Sequence, residues 1–182
     1  MKKIIINTSS GLFFTKIGLI PILIKYFKPI TTEEIYKEIS EGEQIGFKDA
    51  KILKQFIDDK KISVIKTKKT KNIEKEFKIK EEDASVVSLA EELDCILATE
   101  DKQIEKICII KQVKIINTAL LIYYLNQEGA FSEEQAILLL DLIIRNGYNK
   151  EICLKIREKI IGGKNGIWSN IYKVGHRRIK LY

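Results

Sequence analysis

Lys3-Ile4-Ile5-Ile6-Asn7-Thr8-Ser9-Ser10 sets a short apolar run directly before four small polar residues. An apolar run this short reads as a buried strand, and the polar residues after it mark the strand's carboxyl end. Working outward, short apolar runs keep alternating with helical stretches. Leu12 to Ile24 has helical length. Lys28-Pro29-Ile30 reads as a short strand, and Thr31-Thr32-Glu33-Glu34 fits the S/T-x-x-E capping box that opens a helix to about Ser40. Ile52, Leu53, Phe56 and Ile57 give one helical face over residues 48–58, and Ile62 to Ile65 alternates like a strand. Residues 60–80 hold nine Lys and two Glu, including Lys66-Thr67-Lys68-Lys69-Thr70-Lys71, and read as an exposed loop.

The alternation continues to the end of the domain. A helix is expected from about Asp83 to Leu93, then an apolar run from Cys95 to Ala98, then a helix opened by Thr99-Glu100-Asp101. Val113 to Ile116 is another strand, after which Asn117 or Thr118 caps a helix. Ser132-x-x-Gln135 is a second capping box, leading an apolar helix that Gly147 ends. Asn149 caps a last helix carrying Ile152, Cys153, Ile156 and Ile160 on one stripe. Strand and helix in alternation predict a three-layer α/β/α domain with a mainly parallel central sheet. The domain is expected over residues 1–161. Gly162-Gly163-Lys164-Asn165-Gly166 reads as a linker into a C-terminal tail, so residues 162–182 form a basic extension.

Composition narrows the chemistry. A chain of 182 residues, 45% hydrophobic, can bury a real core and is neither disordered nor collagen-like. Three widely spaced cysteines with no C-x-x-C pair exclude a disulfide framework and a cysteine zinc site, and point to a reducing compartment. The single histidine, His176, excludes a histidine-rich metal site. There is no G-x-G-x-x-G, and the glycine-rich linker lacks the spacing of a phosphate loop. Ile17 to Ile24 contains Pro21 and is far shorter than the about 20 residues of a membrane span. Met1-Lys2-Lys3 and the isoleucines after it begin like a signal peptide, but Asn7 to Ser10 break the apolar region early. A soluble, cytoplasmic protein with no membrane partner is the expectation.

In an open α/β sheet, ligands bind at the carboxyl ends of the strands. The polar residues just beyond those ends are Asn7-Thr8-Ser9-Ser10 and Thr99-Glu100-Asp101, with Glu81-Glu82-Asp83 opening a helix and Glu38 beside a buried helix face. Singly, Asp83 and Asp101 suit the positive end of a helix dipole, worth about 0.3–1 kcal/mol, and Glu38 suits a solvated helix surface. Jointly they conflict, because two unit charges 4 Å apart repel by about 4 kcal/mol at an effective dielectric near 20. Converging carboxylates need a cation or an unusual protonation state, and an oxygen-rich site suits Mg²⁺ or Mn²⁺.

Ile4-Ile5-Ile6-Asn7-Thr8-Ser9-Ser10, Ile35-Tyr36-Lys37-Glu38-Ile39, Glu82-Asp83-Ala84-Ser85-Val86-Val87-Ser88-Leu89-Ala90 and Leu97-Ala98-Thr99-Glu100-Asp101 follow one another in a telling order. Together with Lys16-Ile17-Gly18-Leu19 and Val113-Lys114-Ile115-Ile116-Asn117-Thr118, they resemble a PIN domain over about residues 3–160. This is the small metal-dependent nuclease fold of many microbial toxin ribonucleases. The resemblance implies that Glu38, Asp83 and Asp101 form the acidic site, with Thr99 as a supporting hydroxyl and Glu100 as an extra acid. Asn7 stands where the family has its leading Asp. An amide oxygen can ligate a metal but brings no charge, so weaker metal binding follows.

Three readings are open. The first is a Mg²⁺- or Mn²⁺-dependent endoribonuclease cutting single-stranded RNA, with an antitoxin protein as partner. The second is a degenerate PIN domain that binds RNA or protein without cutting. The third is a structural oligomerisation module. A dimer is expected, because Leu138 to Ile144 is almost continuously apolar. Residues 162–182 carry five of the 32 basic residues and none of the 25 acids of a chain with net charge +7. Lys68, Lys69, Lys71, Arg177 and Arg178 are therefore the expected phosphate contacts, with Trp168, Tyr172 and Tyr182 for base stacking near His176.

Overall fold

The computed structural model describes residues 1–162, together with the backbone of two short strands, Lys173–Val174 and Arg177–Arg178, which pair antiparallel. The described chain runs β1 (Lys2–Ile6), α1 (Thr8–Lys16), α2 (Ile20–Tyr26), β2 (Phe27–Thr32), α3 (Glu33–Gln44), α4 (Lys48–Asp58) and β3 (Ser63–Ile65). It continues through α5 (Thr70–Phe77), α6 (Glu81–Leu93), β4 (Ile96–Ala98), α7 (Lys102–Lys111), β5 (Ile115–Ile116), α8 (Thr118–Gln127), α9 (Glu133–Arg145) and α10 (Lys150–Ile161). By internal contacts the chain divides into two compact units, Met1–Leu121 and Ile122–Tyr182, with the division inside α8.

The first unit holds a five-stranded sheet of order β3-β2-β1-β4-β5, and every pairing in it is parallel. The chain lays down β1, β2 and β3 in one direction, then returns to place β4 and β5 on the other side of β1. Right-handed crossovers, the rule for parallel connections, put α1–α4 on one face and α5–α7 on the other, giving three layers. Ile4, Ile5 and Ile6 are almost completely buried, as expected for a central strand covered on both faces. Helix α6 lies across β1, β2 and β4 and is buried at every position from Ala84 to Ala90. Its two serines sit inside that buried stretch, so their hydroxyls need partners: Ser85 meets Thr32 and Ser88 meets Thr67, each at 2.7 Å.

Three expectations are corrected. Leu12 to Ile24 is not one helix. Gly18 turns the chain at φ +69, Leu19 N–H bonds back to the Phe14 carbonyl at 2.8 Å, and Pro21 sits at the start of the next helix. The cap of α3 is Thr32, whose hydroxyl accepts from Ile35 N–H, because Thr31 Oγ1 instead donates to the Ile6 carbonyl. The lysine-rich stretch is not all loop: Thr70–Phe77 is helix α5, anchored by buried Thr70 and Ile73. The remaining caps fall as expected, including Asp101 on α7, the full Ser132–Gln135 capping box on α9 and Asn149 on α10.

In the second unit, α9 buries Ala136, Leu140 and Ile143, while α10 buries Cys153, Ile156 and Ile160. The two helices pack on each other and are bridged by Arg157 and Asp141 at 3.4 Å. On the same α9, Leu138 is 67% and Leu142 37% exposed. Among the described residues no single helix is long and apolar enough to cross a membrane; α1 and α2 pass only as a pair bent by 111°.

Candidate active site at the sheet switch point

The strand order reverses between β1 and β4, and the crevice beyond their carboxyl ends is where such sheets bind ligands. Register places Ile6 opposite Ala98, so Asn7 and Thr99 are the next residue on each strand. Both are buried, and Asn7 Nδ2 donates to Thr99 Oγ1 across 3.3 Å. Asn7 also caps α1: its Oδ1 accepts from Ser10 N–H at 2.9 Å and from Ser9 Oγ at 3.2 Å. Those two bonds occupy both lone pairs of the amide oxygen.

Asp101 follows two residues after Thr99. Its Oδ1 accepts from Gln103 N–H at 2.6 Å and Ile104 N–H at 3.0 Å, which caps α7, and its own N–H donates to Thr99 Oγ1 at 3.1 Å. Among the described residues its second oxygen has no hydrogen bond. Glu38, on α3, accepts a very short hydrogen bond from Thr8 Oγ1. The start of α3 is tied to α6 by a one-way chain. Ile35 N–H donates to Thr32 Oγ1, the Thr32 hydroxyl donates to Ser85 Oγ, and Ser85 donates to the Glu82 carbonyl at 2.7 Å.

Asp83 sits in the first turn of α6, half-buried, with no hydrogen bond or ion pair among the described residues. Burial above all, then the Asp101, Glu38 and Glu82 carboxylates, push its carboxyl above the usual carboxylate range, with Lys80 opposing weakly. The structure thus brings Asp83, Asp101 and Glu38 into one electrostatic neighbourhood. Glu100 Oε1 accepts from Thr118 N–H at 2.6 Å and Thr118 Oγ1 at 2.5 Å, holding the start of α8.

Among the described residues no three His, Cys, Asp or Glu side chains are gathered closely enough to enclose one ion. The donors still suit a hard dication. Mg²⁺ commonly keeps several waters and takes only one or two carboxylates, and Asp83 and Asp101 present open oxygens of that kind. Asn7 is the poorer ligand, since its oxygen is already engaged twice.

Lys66, Lys68, Lys69 and Lys71 are all exposed. Sequence reading missed what holds them. Glu92 Oε1 accepts from Thr67 Oγ1 at 2.8 Å, Ser88 Oγ at 3.1 Å, and Lys68 and Lys69 N–H at 3.2 Å each. It also missed Thr32 and Ser85; the one sequence signal for Ser85 and Ser88 was two hydroxyls, three positions apart, inside an apolar helix. The aromatic and basic tail residues Trp168, Tyr172, His176 and Tyr182, and the side chains of Arg177 and Arg178, lie outside the described residues.

A parallel sheet with acids and hydroxyls beyond the carboxyl ends of its strands at a switch point defines an open α/β protein with a polar crevice. The comparisons then place it more closely: the DUF3368 family model, described as a PIN domain, matches residues 3–160, and the chain belongs to the PIN-domain family. Among solved structures it is similar to PAE2754 from Pyrobaculum aerophilum, with TM-score 0.50 and 16% identity, covering 69% of this chain and 96% of that one. No curated protein matches the chain.

Proposed function

We propose that this chain is a metal-dependent ribonuclease that cuts single-stranded RNA at the switch point between β1 and β4. The observation that carries the reading is Asp83, a half-buried carboxylate without a bonding partner among the described residues, within electrostatic reach of Asp101 and Glu38. Such an arrangement is costly unless a cation joins it. A bound Mg²⁺ or Mn²⁺ supplies an activated water and offsets the charge that develops on phosphorus. Asp83 and Asp101 would hold it, Glu38 adds negative charge at the rim, and Thr8 fixes the Glu38 carboxylate. Lys68, Lys69 and Lys71 attract the RNA backbone. Exposed Leu138 and Leu142 support self-association into a dimer, and an antitoxin-type protein partner fits a ribonuclease that must be restrained.

One observation favours a second reading, a PIN domain that binds RNA without cutting: the charge at position 7 is missing and the Asn7 oxygen is saturated by Ser9 and Ser10. A labelled single-stranded RNA incubated with wild type, Asp101→Asn and Asn7→Asp, with Mn²⁺ or with EDTA, separates the two. The first reading requires wild-type cleavage that needs Mn²⁺ and disappears in Asp101→Asn. Cleavage by Asn7→Asp alone establishes the second.

A further inference from the structure

The Asn7 amide has one orientation open to it. Its oxygen must face Ser10 N–H, 2.9 Å away, because a backbone N–H only donates. Its nitrogen, which also only donates, therefore faces Thr99 Oγ1. Thr99 Oγ1 accepts a second bond from Asp101 N–H at 3.1 Å. Both lone pairs of the hydroxyl oxygen are taken, so its proton must point away from both donors. Thr99 is 5% exposed, and among the described residues no acceptor lies within hydrogen-bond reach of that proton. A buried donor with no acceptor among the described residues, one residue beyond a strand end at the sheet's switch point, is placed to meet an acceptor supplied by a ligand.

We infer that the Thr99 hydroxyl is an obligate hydrogen-bond donor to a phosphate oxygen of the RNA, and that Asn7 is the positioning residue that makes it so. The inference rests on the RNA reading above and deepens it. An acid at position 7 would reverse the bond. A carboxylate only accepts, so the Thr99 proton would turn toward it and the hydroxyl would offer the site a lone pair, which repels a phosphate oxygen. Asn7 thus exchanges one negative charge near the scissile group for a donor directed at it. The amide is a working part of the site with a role that the acid cannot fill.

A double-mutant cycle tests this with binding as its readout. The affinity of the full chain for a short single-stranded RNA is measured by fluorescence anisotropy in EDTA, where no cut is made. The variants are Thr99→Val, Thr99→Ser, Asn7→Asp and Asn7→Asp with Thr99→Val. In the wild-type background Thr99→Val is expected to weaken binding about tenfold, the size of one hydrogen bond to a charged group, and Thr99→Ser to retain it. In the Asn7→Asp background Thr99→Val should change nothing, because the proton is already spent on the introduced carboxylate. The cycle separates this coupling from the general repulsion that the new charge adds. Equal losses in both backgrounds, or no loss in either, overturn the donor role and leave the nuclease reading standing. Wild type that neither binds nor cuts RNA overturns both.

Discussion

Asn7 and Thr99 end two neighbouring parallel strands and are joined side chain to side chain, 3.3 Å apart, where the strand order of the sheet reverses. The link is between neutral groups and is buried, so the fold does not depend on a cation at this point. Asn7→Asp should change that. The carboxylate keeps the bond from Ser10 N–H but adds a buried charge without a cationic partner, which costs several kcal/mol. Thermal unfolding should show a lower Tm for the variant in EDTA and a larger gain on adding Mn²⁺ than wild type shows. Matching Tm values in EDTA would sink the idea that the neutral amide stabilises the metal-free site.

Asp83 gives the pH dependence a definite sign. Its folded pKa lies above the unfolded value of 3.8, so the folded state binds more protons in the window between the two. Stability should therefore fall as pH rises through that window, and ionised Asp83 is a liability at neutral pH. Asp83→Asn removes it. The variant should unfold at a higher temperature than wild type at neutral pH, and the two should converge near about pH 3, below both pKa values. A variant less stable than wild type at neutral pH would show that Asp83 is paired in solution.

The hydroxyl chain from Ile35 N–H through Thr32 and Ser85 to the Glu82 carbonyl joins the helix bearing Glu38 to the helix bearing Asp83. Thr32→Val keeps the shape but removes the α3 cap and the bond to Ser85. Urea denaturation should show a loss of about 2 kcal/mol, the sum of a lost cap and a buried hydrogen bond. Ser85→Ala leaves the cap in place and should cost less. Equal costs would mean that Thr32 acts only through Ser85.

Much of this architecture is written locally. Ile4 to Ile6 and Leu97-Ala98 are apolar runs with turn-forming residues behind them, and Asp101, Ser132 and Asn149 are caps whose partners lie within three positions. Local patterns of that kind survive folding unchanged. The errors arose where tertiary burial outweighed composition. Thr67, Thr70 and Ile73 are buried within a lysine-rich stretch, which made a helix look like solvent-exposed loop. The acids Glu38, Asp83 and Asp101 were legible from the order of their motifs. The groups that position them were not, because Thr32 and Ser85 are 53 positions apart and Asn7 and Thr99 are 92. Glu100 has a partner of the same kind: its Oε1 holds the start of α8 through Thr118, 18 positions away.

Glu92 couples the lysine segment to α6, and its titration has the opposite sign to that of Asp83. Desolvation raises its pKa, but bonds from the Thr67 hydroxyl, Lys68 N–H, the Ser88 hydroxyl and Lys69 N–H together bring it below the ordinary 4.5. Its stabilising effect is therefore present above about pH 4.5 and is lost as pH falls through the lowered folded value. Glu92→Gln weakens these bonds and should cost about 1 kcal/mol at neutral pH, with the difference shrinking in acid. The consequence for RNA is separable from stability. Lys68, Lys69 and Lys71 each neutralise at most one phosphate, so replacing all three with Ala should reduce the slope of log affinity against log salt by about 2. Glu92→Gln keeps those charges but frees the backbone that presents them, so it should weaken binding at low salt while leaving the slope near the wild-type value. A slope unchanged by the triple replacement would remove this segment from the RNA path.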